Sequence, residues 1–174
     1  MLQSQSQENM PTDPVINGIQ QRTGAPVVSA STIGEVIVVT SGDGTFRLFQ
    51  PDRDPLAFNI HKGVILSMAR ESQYLLTGSE DGRFLRVSLK GEVEEIASFG
   101  SKWVDCVASD GGYFACSSGK IAYVWSPDRS QPVSLEHQST VGGLAFNAGR
   151  NQLAVAHYGG VTTVSYTHLR AHET

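Results

Sequence analysis

Four short apolar runs, each closed by a glycine turn, recur along this chain at a nearly constant interval. They are Val36–Phe49 (V-I-V-V-T-S-G-D-G-T-F-R-L-F), Leu75–Val87 (L-L-T-G-S-E-D-G-R-F-L-R-V), Tyr113–Trp125 (Y-F-A-C-S-S-G-K-I-A-Y-V-W) and Leu153–Val164 (L-A-V-A-H-Y-G-G-V-T-T-V). The turn glycines Gly44, Gly82, Gly119 and Gly160 stand 38, 37 and 41 residues apart. An Asp-Gly pair between two β-rich runs is a hairpin signal, because glycine takes positive φ without steric cost. One hairpin is marginal alone, so the repetition matters: a period near 40 built from short strands is the pattern of stacked or radial repeats.

The phasing assigns four strands to each unit. Strand a covers Val64–Ala69, Val104–Ser109 and Val141–Phe146, and Ile65, Val104 and Val141 keep step at 39 and 37 residues. Strand b is Val36–Thr40, Tyr74–Thr77, Tyr113–Cys116 and Leu153–Ala156, with strand c after each turn glycine. Strand d is Leu56–Asn59, Val93–Ala97 and Val133–Glu136. The Pro-Asp-Arg turn at Pro51–Arg53 returns at Pro127–Arg129, with Asp52 and Asp128 76 residues apart, two periods. No amphipathic helical pattern intervenes, so the fold class is all-β. The runs V-I-V-V, V-I-L-S-M and L-A-V-A are more continuously apolar than a sheet with one wet face requires, which favours blades stacked on both sides over a flat sandwich.

Bulk properties narrow the function classes. With 174 residues the chain can bury a sizeable core, and 40% apolar against 17% charged residues is ordinary for a folded domain. A net charge of -4 gives no reason to expect nucleic-acid binding. No apolar run approaches the roughly 20 residues that cross a bilayer as a helix, and the first ten residues are no secretory signal, so a cytoplasmic setting is expected. Residues 1–26, rich in Gln, Ser, Asn, Thr and Pro, read as a flexible leader. Residues 27–163 hold the repeats. Residues 164–174 break the pattern and read as a non-native tail. Cys106 and Cys116 lack metal-ligand spacing and are expected to be buried free thiols, although they fall on neighbouring strands of one unit.

The sequence resembles the WD-repeat β-propeller family, its divergent bacterial members most, over about residues 27 to 163. The best match is E-H-Q-S-T-V-G-G-L-A-F-N-A-G, with His137 at the family's Gly-His histidine and Val141, Leu144 and Phe146 at apolar strand-a positions. The second unit carries H-K-G-V-I-L-S-M from His61 and ends in the S-E-D-G turn. The Trp-Asp dipeptide is missing; Phe49-Gln50, Val87-Ser88 and Val124-Trp125 occupy its approximate place. The resemblance implies a partial, open propeller of about three and a half four-stranded antiparallel blades, truncated relative to a closed ring. It also implies a structural histidine–aspartate turn network: His61 with Asp81, helped by Thr77, with Asp43 and His137 each lacking a counterpart.

Catalytic chemistry is thin. There is no P-loop and no G-x-S-x-G elbow, and Gly42-Asp43-Gly44 opens a strand, not the helix a dinucleotide site needs. His61, His137, His157, His168 and His172 suggest no metal site, because the first two have structural places and the last two fall in the tail. Val93–Ile96 (V-E-E-I) reads as a solvated edge strand. The expectation is therefore a non-enzymatic scaffold without metal or cofactor, binding a protein or peptide where the d–a loops and b–c turns meet. The candidate face is Lys62, Arg83, Lys102, Trp103, His157 and Tyr158; Trp103 could equally pack on the adjoining blade. The alternative is a ligand-binding or hydrolytic propeller enzyme using the central channel; a third reading is a segment of a longer scaffold. The remaining blades count as a partner, while nucleic acid and membrane do not.

Overall fold

The structure is a computed structural model that describes residues 8–9, 19–128, 130–147 and 151–166. A two-stranded ladder joins β1 (Glu8–Asn9) to β2 (Ile19–Gln20). Then come β3 (Val27–Ile33), β4 (Val36–Ser41), β5 (Thr45–Phe49) and β6 (Leu56–Asn59), an antiparallel meander forming the first blade. The second blade is β7 (Ile65–Glu71), β8 (Tyr74–Ser79), β9 (Arg83–Ser88) and β10 (Val93–Ser98). The third is β11 (Cys106–Asp110), β12 (Tyr113–Ser118), β13 (Ile121–Trp125) and β14 (Val133–Glu136). The fourth, among the described residues, has three strands: β15 (Val141–Asn147), β16 (Gln152–His157) and β17 (Gly160–Ser165). The architecture is all-β, an open arc of propeller blades and not a closed ring.

The repeat period thus becomes a stack of small sheets. Strands a of successive blades lie against one another, β3 on β7, β7 on β11 and β11 on β15, so they form the inner wall. Direct hydrogen bonds cross from blade to blade along that wall. Val107 N donates to Ser67 Oγ at 3.0 Å, Ser109 Oγ to the Arg70 carbonyl at 2.6 Å, and Arg70 Nη1 to the Thr32 carbonyl at 2.9 Å. A bulge recurs near the start of strand a in three blades, at Val27/Ser29, Ile65/Ser67 and Val141/Gly143. Such an extra residue bends a strand and raises its twist, which fits sheets fanned about an axis.

Each blade junction has its own apolar cluster. Val38, Phe46 and Leu48 from the first blade meet Ile65, Leu75, Leu85 and Val87 from the second. Leu76 and Phe84 from the second meet Val104, Val107, Cys116 and Trp125 from the third. Tyr113, Ala115 and Val124 then meet Val141, Leu153 and Val155. Burying one large apolar side chain stabilises by about 1.5–3 kcal/mol, and no single four-stranded sheet can bury both faces alone.

Several sequence expectations are refined. The first unit gains a strand a, β3, that the phasing left unassigned. In the third unit strand a starts at Cys106, because the Val104 and Asp105 amides donate instead to the carbonyls of Ser79 (3.0 Å) and Ser117 (3.1 Å). In the fourth unit the positive-φ turn glycine is Gly159 (φ 87°), one residue before Gly160. The V-I-V-V run is two-sided only in part: Val38 is buried, while Ile37 is 48% exposed on the outer face of the first blade. Val93–Ser98 is an edge strand, with Glu94 and Glu95 ion-paired to Arg86 and Arg83. The boundary placed at Val164 falls inside β17, and Tyr166 is buried against Tyr113 and Phe146. In the leader, the Pro26 carbonyl accepts from Gly42 N at 2.8 Å. Arg129, most of the leader and residues 167–174, with His168 and His172, lie outside the described residues.

Candidate interaction face

The b–c turns and the linkers that lead into strand a meet at one end of the blades, and in the first three units backbone hydrogen bonds tie them together. In the first blade the Gly44 carbonyl accepts from the Ile60 and His61 amides at 3.1 and 3.2 Å. In the second, Gly82 O accepts from Phe99 N at 2.8 Å and Ser79 O from Val104 N at 3.0 Å. The third and fourth units join through Val141 N to Gly119 O at 2.9 Å and His137 N to Lys120 O at 2.9 Å. Gly44 and Gly82 both have φ of 77°, and a Cβ at either would overlap a carbonyl of the following linker, so the tie itself demands glycine.

Beneath this end, His61 is the largest buried polar side chain among the described residues. Its Nδ1 lies 3.1 Å from both oxygens of Asp81, and its Nε2 lies 2.9 Å from Thr77 Oγ1. The carboxylate can only accept, so Nδ1 carries the proton and Nε2 accepts from the threonine hydroxyl. Asp81 also accepts from the amides of Lys62 (2.9 Å) and Arg83 (3.0 Å). Burial lowers the imidazole's pKa more strongly than the neighbouring carboxylate raises it, so His61 is neutral at pH 7. Burial also pushes Asp81 upward, but the two amides and the imidazole outweigh it and hold the carboxyl below its ordinary value. This is a neutral imidazole donating to a carboxylate that clamps a turn.

The other units solve the same problem differently. Asp43 takes its turn amide, Thr45 N, at 3.1 Å, and in place of a histidine it binds Arg47 Nη2 at 3.0 Å. The Arg47 hydrogen bond is the main reason that its pKa is lowered. Arg47 was not anticipated; the signal available was a cation four residues after the turn aspartate, on strand c. The third unit replaces the acidic turn with the two-residue Gly119-Lys120. In the fourth, His137 finds no acid: its ring stacks on His157 with centroids 5.3 Å apart, and its Nε2 is buried without a hydrogen-bond partner. Burial and then the second imidazole lower its pKa. His157 Nε2 is held by Thr162 Oγ1 at 3.0 Å.

The candidate face residues fall into two groups along this end. Lys62, Arg83, Lys102 and Trp103 surround the second blade's turn; His157 and Tyr158 form the fourth blade's turn. Trp103 is 52% exposed and Tyr158 is 91% exposed. Lys62 and Lys102 are exposed, whereas Arg83 is half-buried, bound to Glu95 at 2.6 Å and to the Ile60 carbonyl at 3.4 Å. Arg83 therefore braces the rim more than it reaches outward. Ser139 Oγ donates to the Tyr158 carbonyl at 3.3 Å, fixing the fourth turn to its linker. Among the described residues no three His, Cys, Asp or Glu side chains gather as a metal would need, and no helix is long and apolar enough to cross a membrane. Cys106 pairs with Ser117 and Val107 with Cys116, so the two thiols point to opposite faces of their sheet.

No protein-family model matches the chain, and no curated protein matches it. Solved structures do. The chain is similar to the computationally designed Ika4 protein, at 17% identity and a TM-score of 0.69 over 83% of this chain and 94% of that one. It is similar to the WD40 β-propeller domain of Doa1, at 21% identity and a TM-score of 0.66 over 83% of this chain and 53% of that one. It is also similar to the β-propeller domain of Cps50 (Swd1) from Myceliophteria thermophila, at 16% identity and a TM-score of 0.72 over 88% and 60%. A chain in a crystal structure of the mitotic checkpoint complex aligns at 20% identity and a TM-score of 0.69, over 86% and 50%. These likenesses show the propeller fold, and the chain spans about half the length of the natural proteins it matches.

Proposed function

We propose that this chain is a non-enzymatic scaffold that binds a partner protein or peptide on the end formed by the d–a linkers and b–c turns. The observation that carries this reading is the pairing of rigidity with exposure. The turns of the first three blades are tied to neighbouring linkers by backbone hydrogen bonds and the fourth by the Ser139 hydroxyl, and two large aromatic side chains stand out from that end: Trp103, with Lys62 and Lys102 around the same turn, and Tyr158 on the fourth blade. Trp, Tyr and Arg dominate interface hot spots, and an anchor on a fixed backbone loses little entropy on binding. The similarity to a chain of the mitotic checkpoint complex supports a protein as the partner class. A reducing, cytoplasmic setting suits two thiols that face away from each other.

The test is recovery of partners on the immobilised chain, compared with Trp103→Ala and Tyr158→Ala variants and with Lys90→Glu on the exposed c–d turn at the other end. Recovery should fall at least tenfold for the aromatic variants and stay level for Lys90→Glu. Recovery that ignores Trp103 and Tyr158 but drops with Lys90→Glu would move the binding face to the other end.

A further inference from the structure

Charge is distributed unevenly over the end that presents Trp103. Lys62, Lys102 and Lys120 are exposed there, and none of them joins an ion pair among the described residues. Backbone contacts bring their segments together. Lys62 N donates to the Asp81 carboxylate, and the Lys102 carbonyl lies 2.9 Å from where a Cβ on Gly82 would stand, so the two lysines flank one turn. Trp103 follows Lys102 directly. Two residues further on, Asp105 accepts from the Gly119 amide and donates its own amide to the Ser117 carbonyl at 3.1 Å. The Gly119-Lys120 turn therefore abuts the linker that carries the exposed indole.

The carboxylates of this end are engaged by the protein itself. Asp81 holds two amides and His61, Asp43 holds Thr45 N and Arg47, and Glu95 holds Arg83. Glu80 accepts from Val64 N at 3.4 Å, and Asp105 is taken by Gly119. Linker residues 60–64, 99–104 and 137–140 include no acid. Glu136, exposed at the end of edge strand β14, is the carboxylate outside these bonds. The opposite end differs: its a–b and c–d turns carry Glu35, Asp52, Asp54, Glu92 and Asp128 against Arg53 and Lys90 among the described residues. The net charge of -4 thus hides a polarity, with uncompensated cations around Trp103 and acids at the far end.

From this we infer that the segment bound against Trp103 is an acidic peptide, with an apolar side chain on the indole and flanking aspartates or glutamates reaching Lys62, Lys102 and Lys120. The inference rests on the proposed binding face and adds the chemistry of what that face holds. Complementary charge steers encounter and rejects like-charged competitors, and the acidic far end turns such a peptide away. A peptide fits better than an anionic membrane, whose basic docking clusters run to about 4–8 cations where this end has three uncompensated lysines.

The test uses a short fluorescein-labelled peptide with a leucine-phenylalanine centre and glutamate flanks, titrated with the full chain and read by anisotropy. Counterparts carry glutamine or lysine flanks. The acidic peptide should bind about tenfold or more tightly than the glutamine one, and the lysine one should not bind. Lys62→Gln, Lys102→Gln and Lys120→Gln should each weaken the acidic peptide about threefold, and Trp103→Ala about tenfold. Lys90→Gln, at the far end, should change nothing. Raising salt from about 50 to about 300 mM should weaken the acidic peptide and spare the glutamine one. Equal binding of the acidic and glutamine peptides, no binding of the acidic one, or indifference to all three lysine substitutions overturns the inference. So does lysine-dependent binding seen only with phosphatidylserine-containing vesicles or with single-stranded oligothymidine. If both peptides bind equally and Trp103→Ala releases both, the face stands and only its preference for acid fails. If Trp103→Ala and Tyr158→Ala release neither while Lys90→Gln does, the face itself fails.

Discussion

Replacing His61 by alanine tests the physical account of the second blade most directly. The substitution leaves the Thr77 hydroxyl, fully buried, without its 2.9 Å partner. A buried unsatisfied hydroxyl costs about 1–3 kcal/mol, and a lost hydrogen bond to an ionised carboxylate about 1.5–3 kcal/mol. Asp81 keeps its two amide donors, from Lys62 and Arg83, so the two costs do not fully add. The expected loss is about 3 kcal/mol, a large share of the roughly 5–15 kcal/mol that holds a domain folded. Urea unfolding followed by tryptophan fluorescence measures it. The pH dependence supplies an independent check. His61 is held neutral, with its folded pKa below that of the unfolded chain, so the unfolded state binds the extra proton as pH falls. The stabilisation is therefore complete above about pH 6.5 and drains away below it, at up to about 1.4 kcal/mol per pH unit. Asp81, also lowered, keeps its contribution until the pH nears the ordinary carboxylate range, so the loss between pH 6.5 and 5 belongs to the histidine. The penalty for His61→Ala should be smaller at pH 5.5 than at pH 7.5. A penalty below about 0.5 kcal/mol at pH 7.5, or one that ignores pH, would refute the buried neutral-imidazole clamp.

Two further substitutions separate the forces at work elsewhere. Gly82→Ala should cost more than about 2 kcal/mol, whereas Gly119→Ala, at φ 60° but with open space around it, should cost about 1 kcal/mol. Equal thermal midpoints for the two would show that the close approach of the Gly100 carbonyl is not what demands glycine at Gly82. Trp125→Ala should cost about 3–5 kcal/mol, because the ring is 3% exposed and packs on Phe84 and Phe114 with centroids 5.4 and 5.5 Å away. A smaller loss in urea unfolding would place the junction's stability elsewhere.

Strands b, c and d were legible in the residues because turn chemistry and β-rich runs are local signals, and the histidine that clamps Asp81 was legible through the family resemblance. Strand a was harder. Its first instance, Val27–Ile33, carries Ala30 and Thr32 on the exposed front, the face turned away from the second blade, and Ser29 and Ser31 on the rear, so the expected apolar run is absent. The start of the third instance was misplaced because Val104 and Asp105 donate to carbonyls distant in sequence. Arg47 as partner of Asp43 was a local signal, four residues away on the same hairpin, whereas the stacked His137–His157 pair depends on how a turn and a linker come together, which spacing along the chain does not specify.

By itself, then, the sequence determined that small four-stranded sheets would form at a period near 40 residues, since a strand's alternation and a glycine's positive φ are properties of a few adjacent residues. It also determined that these sheets must cover one another, because each carries more apolar surface than it can hide. Which residues end up covered was decided only by the tertiary arrangement. Leu75 is sealed and Ile37 is half in water, although both sit on strand b and face the preceding place in the stack. The physical reason is that burial here belongs to the junction between two blades, and among the described residues the first blade has none on its front.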